Sequence, residues 1–346
     1  MPEVSRQGVE DHRPAREASP GGSVGDQKSG TGADGNGGRR SSGGRTGGEQ
    51  KMVPKADFSS YYGLPILNGP VWHSPEIPGY LFLGGLAGAS SVLAAGAQLT
   101  GRPQLARRAK LVAAGAVSVG GAALVKDLGR PSRFANMLRV LKPTSPMSVG
   151  SWILTAYGPA AAGAAGAALL GRFRRLGNLA TAGAAVFGPP LATYTAALLC
   201  DTAVPAWHDG YPEMPLVFAG SSAMAAGGAG LLVAPAAESS PARRLAVVGA
   251  VSELVALTRM EQRLGLVAEP YHEGAAGRFG KAAHILTAGG VALALLGRRR
   301  RLVNAVAGGA LLAASACTRF AIFEAGKQSA ADPKYVVEPQ RRRLGR

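Results

Sequence analysis

His73 stands beside Trp72 in the run FSSYYGLPILNGPVWHSPEIPGYLFLGGLAG, residues 58–88, where a polar, proline-punctuated segment passes into an apolar one. An imidazole at the edge of an apolar bundle can exchange a proton and a hydrogen bond with a lipid-soluble redox molecule, the chemistry a quinone site needs. The bland alternative makes His73 and Trp72 an interfacial anchor of the kind found in aromatic belts. Asp127, in the run KDLGRPSRF (126–134), either forms a salt-bridged helix exit with Arg130 and Arg133 or supplies a polar floor under a ring. Tyr157 precedes Gly158-Pro159 in PTSPMSVGSWILTAYGP (143–159), where a proline-induced bend serves packing or opens a pocket beside the phenol. By helix counting His73, Asp127 and Tyr157 come from three separate segments and can converge at one face. A second set, Glu253, Arg259 and Arg319, lies in apolar surroundings that make charge costly. It reads either as structural ion pairs, Glu253 or Glu261 with Arg259 or Arg319, or as a proton path in which Glu253 is the deepest group.

The segments that must position these residues are apolar and regular. The chain has 346 residues and a formal charge of +17, but its Lys and Arg cluster between stretches of about 20 apolar residues, the length that spans a ~30 Å hydrocarbon core. That distribution belongs to membrane loops and argues against a nucleic-acid partner. The abundant Gly and Ala suit helices that approach closely in lipid. An all-α integral membrane bundle of about eight helices, in two four-helix halves, is expected over 78–99, 106–126, 148–170, 177–199, 213–234, 243–264, 280–297 and 302–323. Residues 131–141 alternate basic and apolar at helical spacing, as a segment at the membrane interface or against a partner would. Residues 1–57 are expected to be a Gly/Ser/Arg-rich disordered tail, 58–325 the transmembrane domain and 326–346 a basic polar tail. No secretory signal peptide is expected. The odd-numbered loops carry more Lys and Arg than the even-numbered ones, which puts them on the cytoplasmic side of a multi-pass plasma-membrane protein.

Composition narrows the cofactors. The five histidines supply no facing pair within helices, so no bis-histidine haem is expected. Two cysteines, Cys200 and Cys317, cannot hold an iron–sulfur cluster, and no flavin motif or metal-ligand cluster is present. Any electron acceptor is therefore expected outside this chain.

The blocks WHSPEIPGYLFLGGLAG (72–88), KDLGRPSRF (126–134) and PTSPMSVGSWILTAYGP (143–159) together resemble the NrfD/PsrC family, the membrane subunits of polysulfide-reductase-type complexes, over about Tyr61 to Phe323. The resemblance implies binding of menaquinone or ubiquinone and exchange of electrons with a four-cluster ferredoxin-like iron–sulfur subunit. That subunit in turn serves a molybdopterin catalytic subunit of formate dehydrogenase or polysulfide reductase type. It also implies that His73 and Tyr157 bond the quinone, that Asn68 matches a contributing asparagine, and that Asp127 matches the acidic residue after the second helix. Competing expectations are a transporter or proton-conducting protein using Glu253, Arg259 and Arg319, and a structural membrane protein.

Overall fold

The computed structural model describes residues 65–128, 132–297 and 300–344, except the side chains of 134 and 135. The expected disordered tail over 1–57 lies outside them. Every regular element among the described residues is helical. The long helices are α1 (Glu76–Leu99), α2 (Pro103–Asp127), α4 (Pro146–Leu170), α5 (Arg174–Cys200), α7 (Met214–Val233), α8 (Ser240–Leu264), α10 (Gly274–Leu296) and α11 (Arg301–Ala331). Between and after them lie α3 (Ser132–Met137), α6 (Pro205–His208), α9 (Glu269–His272) and α12 (Lys334–Leu344). Proline stands at the first or second position of α2, α4, α7 and α8, where no intrahelical donor is lost.

Seven of the eight long helices are long and apolar enough to cross a membrane. The eighth, α8, spans 25 residues but carries Arg243, Arg244, Glu253, Arg259, Glu261 and Arg263, which dilute its hydropathy. It lies along α7 as closely as α2 lies along α1, so the bundle has eight long helices. Its two halves share one plan. In the first, α1 packs on α2 and α5, and α5 packs on α4; in the second, α7 packs on α8 and α11, and α11 packs on α10. The central helices of the halves, α1 and α7, meet each other and are the most buried.

Close backbone approach explains why the central crossings use glycine. A Cβ on Gly88 of α1 would lie 2.2 Å from the Gly188 carbonyl oxygen of α5, and one on Gly308 of α11 would lie 2.3 Å from the Gly228 carbonyl oxygen of α7. Helix association in lipid relies on such contact, because apolar burial is no longer a driving force between helices.

Eight crossings place the starts of α1, α4, α7 and α10 and the ends of α2, α5, α8 and α11 on one face. That face also carries α3, α6, α9 and α12. The 31 residues of α11 would extend about 46 Å, more than the ~30 Å hydrocarbon core needs, so the helix projects beyond it on this face. The polar C-terminal region after 325 is thus helical through most of its length: α11 continues to Ala331 and α12 follows. Tyr335 of α12 is buried, and Lys334 pairs with Glu269 at 2.9 Å.

Candidate functional site

The site is built where the lead-in chain meets α1. Trp72 stacks on Trp207 of α6 with ring centroids 5.6 Å apart. Trp207 is fully buried and donates its indole N–H to the Ile322 carbonyl at 2.7 Å. This stack ties the lead-in to α11 and sets His73 above the end of α2. There the His73 Nδ1 lies 3.1 Å from the Asp127 Oδ1. Lys126, the preceding residue, reaches Glu76 at 2.7 Å, so two polar contacts side by side join the end of α2 to the start of α1 and its lead-in. The Asp127 side chain is 13 % exposed and the His73 side chain 74 %, so a largely buried carboxylate anchors an open imidazole. With Nδ1–H donated to Asp127, Nε2 is left as the proton acceptor.

Beneath the pair, Asp127 lines a cavity of about 90 Å³ among the first four long helices. Trp72, Tyr80, Met137 and Tyr194 contribute to its walls. One water needs ~10–15 Å³ on this measure, so a six-membered ring with two oxygens fits the space. Two polar features converge on it: Asp127, and the Tyr80 and Tyr194 hydroxyls, which are hydrogen-bonded to each other. Apart from Ser151 the rest is apolar, as suits a ring that arrives from lipid.

Among the described residues Asp127 faces His73 rather than Arg133, one of the two arginines considered for a salt-bridged exit. Arg133 donates to the Leu128 carbonyl at 3.0 Å, and Arg130 lies outside the described residues. The interfacial segment supplies the short helix α3, whose Met137 closes the cavity. Asn68 is exposed and forms no hydrogen bond with the described residues.

Tyr157 does not join His73 and Asp127. Its ring is fully buried, its hydroxyl donates to the Ala87 carbonyl at 2.6 Å, and Ser91 Oγ lies 2.7 Å away. The cavity instead takes Ser151 and Leu154 from α4, and the phenols that face it are Tyr80 and Tyr194. Tyr80 was visible in the sequence as the first aromatic of the apolar run. Tyr194 is five residues beyond Pro189 in α5, and no local pattern distinguishes it. Only the crossing of α1 and α5 brings the two together.

The second set also separates. Glu253 is 6 % exposed and accepts a 2.6 Å hydrogen bond from Thr318 Oγ1. Arg319, fully buried, donates to the Phe218 carbonyl and to Ser222 Oγ, each at 2.9 Å, and its guanidinium stacks on the Phe218 ring. Arg259 is exposed. Among the described residues neither arginine forms an ion pair with Glu253 or Glu261; Glu261 instead lies 3.7 Å from His272. Arg319 turns toward α7, where helix carbonyls and a hydroxyl meet its donors, so it acts on Glu253 through charge without a direct ion pair.

Outside the span, Glu213 before α7 pairs with Arg263, whose Nε lies 2.8 Å from Oε1. The guanidinium holds the Glu213 carboxyl below the usual carboxylate range. Lys334 is held above its ordinary value, chiefly by its hydrogen bond to Glu269.

A family model described as "Polysulphide reductase, NrfD" matches residues 64–331, well over half of the chain. No curated protein matches it.

Proposed function

The chain belongs to the NrfD polysulphide reductase family of membrane subunits of oxidoreductase complexes, and from that membership we propose that it is the quinone-reactive anchor of such a complex. The observation that carries the reading is the His73–Asp127 pair over an apolar cavity with two phenols in its wall. Menaquinol or ubiquinol bound there would lose two electrons and two protons. Asp127, which lines the cavity, would take each of the two quinol protons in turn, and the exposed His73 bonded to it, with Nε2 free, would pass each on to water. The Tyr80–Tyr194 pair holds the second oxygen of the ring, and Trp72 covers one side. The reverse reaction uses the same groups as donors.

The electrons pass to a partner. A four-cluster ferredoxin-like iron–sulfur subunit, itself joined to a molybdopterin catalytic subunit, would dock on the face that carries α3, α6, α9 and α12. The short helices and both ends of the described chain gather there, giving a contoured polar surface beside the cavity. In the plasma membrane, the basic odd-numbered loops would lie on the cytoplasmic side, which puts this face outside. A transporter of broken-helix type would call for interrupted helices in both halves. Among the long helices, internal prolines occur only in α4 and α5.

The test is His73→Ala in the native complex, assayed for quinone-linked turnover and for turnover with an artificial acceptor that bypasses quinone. Quinone-linked turnover is expected to fall at least about a hundredfold, within the range that a positioned acid–base group contributes, with assembly and artificial turnover retained. Normal quinone turnover in that variant refutes the site.

A further inference from the structure

A cavity also lies in the other half of the bundle. It measures about 290 Å³ and is bounded by α8, α10 and α11. These helices correspond, in the shared packing plan of the two halves, to α2, α4 and α5, which bound much of the first cavity. The correspondence extends to chemistry. Asp127 ends α2 and faces His73; Glu261, in the last turn of α8, faces His272, and both pairs lie on the same face of the membrane. His272 comes from α9 and His73 from the lead-in to α1, so the two pairs are alike in composition and place but not in chain position.

Polar groups face the cavity well below its rim. At ~1.5 Å per residue, Glu253 lies about 16 Å in from Leu264 at the end of α8. Glu253 is 6 % exposed; its Oε1 accepts from Thr318, while Oε2 has no hydrogen-bond partner within 3.5 Å among the described residues, with the Ser221 hydroxyl and the Arg319 charge nearby. A buried carboxyl oxygen left without a partner costs free energy comparable to a lost hydrogen bond or more. Lys281, His284 and Thr287 of α10 line the same cavity, and the remaining surface is apolar.

We propose that this cavity is a second binding site, for a neutral, lipid-soluble molecule whose hydrogen-bonding ring donates to Glu253 and accepts from α10. The choice of the quinol class rests on the proposed function; the site itself does not. A phosphate headgroup fits poorly, because two carboxylates, Glu253 and Glu261, line the cavity it would have to enter. Headgroups also stay near the interface, whereas Glu253 lies close to the middle of its helix. A quinol hydroxyl carried in by a ring supplies the donor that Glu253 Oε2 lacks.

A photoreactive azido-quinone with a short alkyl tail distinguishes the two cavities. It would be added to the full chain in nanodiscs of native lipid, and the labelled peptides mapped by mass spectrometry. Labels are expected on 250–261, 277–291 or 318–322 as well as around the first cavity. Thr287→Trp, which fills the second cavity, should remove that group of labels and leave those around Tyr80 and Tyr194, which also shows that the variant is folded. Glu253→Gln should weaken second-site labelling about tenfold, the scale of one buried hydrogen bond to a charged group. Asp127→Asn should weaken labelling only at the first cavity. Labels confined to the first cavity overturn the second site and leave the proposed function standing. Labels confined to the second have the opposite meaning, and none at either overturns both. A phospholipid that co-purifies with the wild type and is lost from Thr287→Trp, without quinone labelling there, overturns the ligand class.

Discussion

Tyr157→Phe separates two roles that a tyrosine in α4 can have. In the structure its hydroxyl is committed to α1, through the Ala87 carbonyl at 2.6 Å and Ser91 at 2.7 Å, and the ring is fully buried. The Ala87 carbonyl also belongs to the helical ladder, so removing the phenol oxygen leaves it partnered; the Ser91 hydroxyl can turn to another acceptor. Interhelical hydrogen bonds in membrane bundles average ~0.6 kcal/mol and reach ~1.7, so losing two should cost about 1–2 kcal/mol. The ring volume is kept, so no cavity term is added. The expected outcome is a lower thermal unfolding midpoint in detergent, with quinone-linked KM and kcat each within about threefold of the wild type. The variant Tyr194→Phe, which removes the hydroxyl bonded to that of Tyr80 in the cavity wall, loses one such bond and should differ from Tyr157→Phe in raising KM. An unchanged unfolding midpoint together with a tenfold or greater loss of quinone turnover in Tyr157→Phe would refute this reasoning. Tyr157 would then be a direct quinone ligand, as the family resemblance implied.

Gly326→Ala tests how the lead-in is held. Its Cβ would lie 1.8 Å from the Trp207 indole, so either α11 or the indole must move, at the ~1–3 kcal/mol typical of overpacking, and the Trp72 stack moves with it. Faster proteolysis of the segment before α1, together with weaker quinone-linked turnover, is expected; cleavage at the wild-type rate refutes the tie. Glu213→Gln removes the link from the start of α7 to the end of α8. Because Arg263 holds the Glu213 carboxyl low in the folded state, its stabilising effect is present above the ordinary carboxylate range and is lost as pH falls through the lowered value. The difference in unfolding midpoint between wild type and variant should therefore be full at pH 7 and vanish in strong acid; a difference that persists there refutes the assignment.

Much of the architecture was legible in residue order because a bilayer leaves few choices. Stretches of about 20 apolar residues must be helices that satisfy their own backbone, so length and hydropathy are enough to mark them. Even α8 was marked by this means, although its charges keep it below the hydropathy of the other seven. The polar region after 325 was harder: it gains its order from burying Tyr335 and pairing Lys334 with Glu269, contacts between distant parts of the chain. The His73–Asp127 pair was half visible, since both residues flank apolar helices on the same face. Helix counting fixes a face but not rotation about the helix axis, and rotation decides what a side chain meets. That is why Tyr157 turns to α1 while Tyr80 and Tyr194 face the cavity, and why Arg319 meets Phe218 and Ser222 rather than Glu253. The sequence by itself determined the helices, their order and the face on which chemistry could gather, because those follow from hydrophobic length and parity. Which side chains share each of these cavities was decided by tertiary structure, because glycine-mediated crossings at Gly88–Gly188 and Gly228–Gly308 set the spacing and rotation of helices distant in the chain.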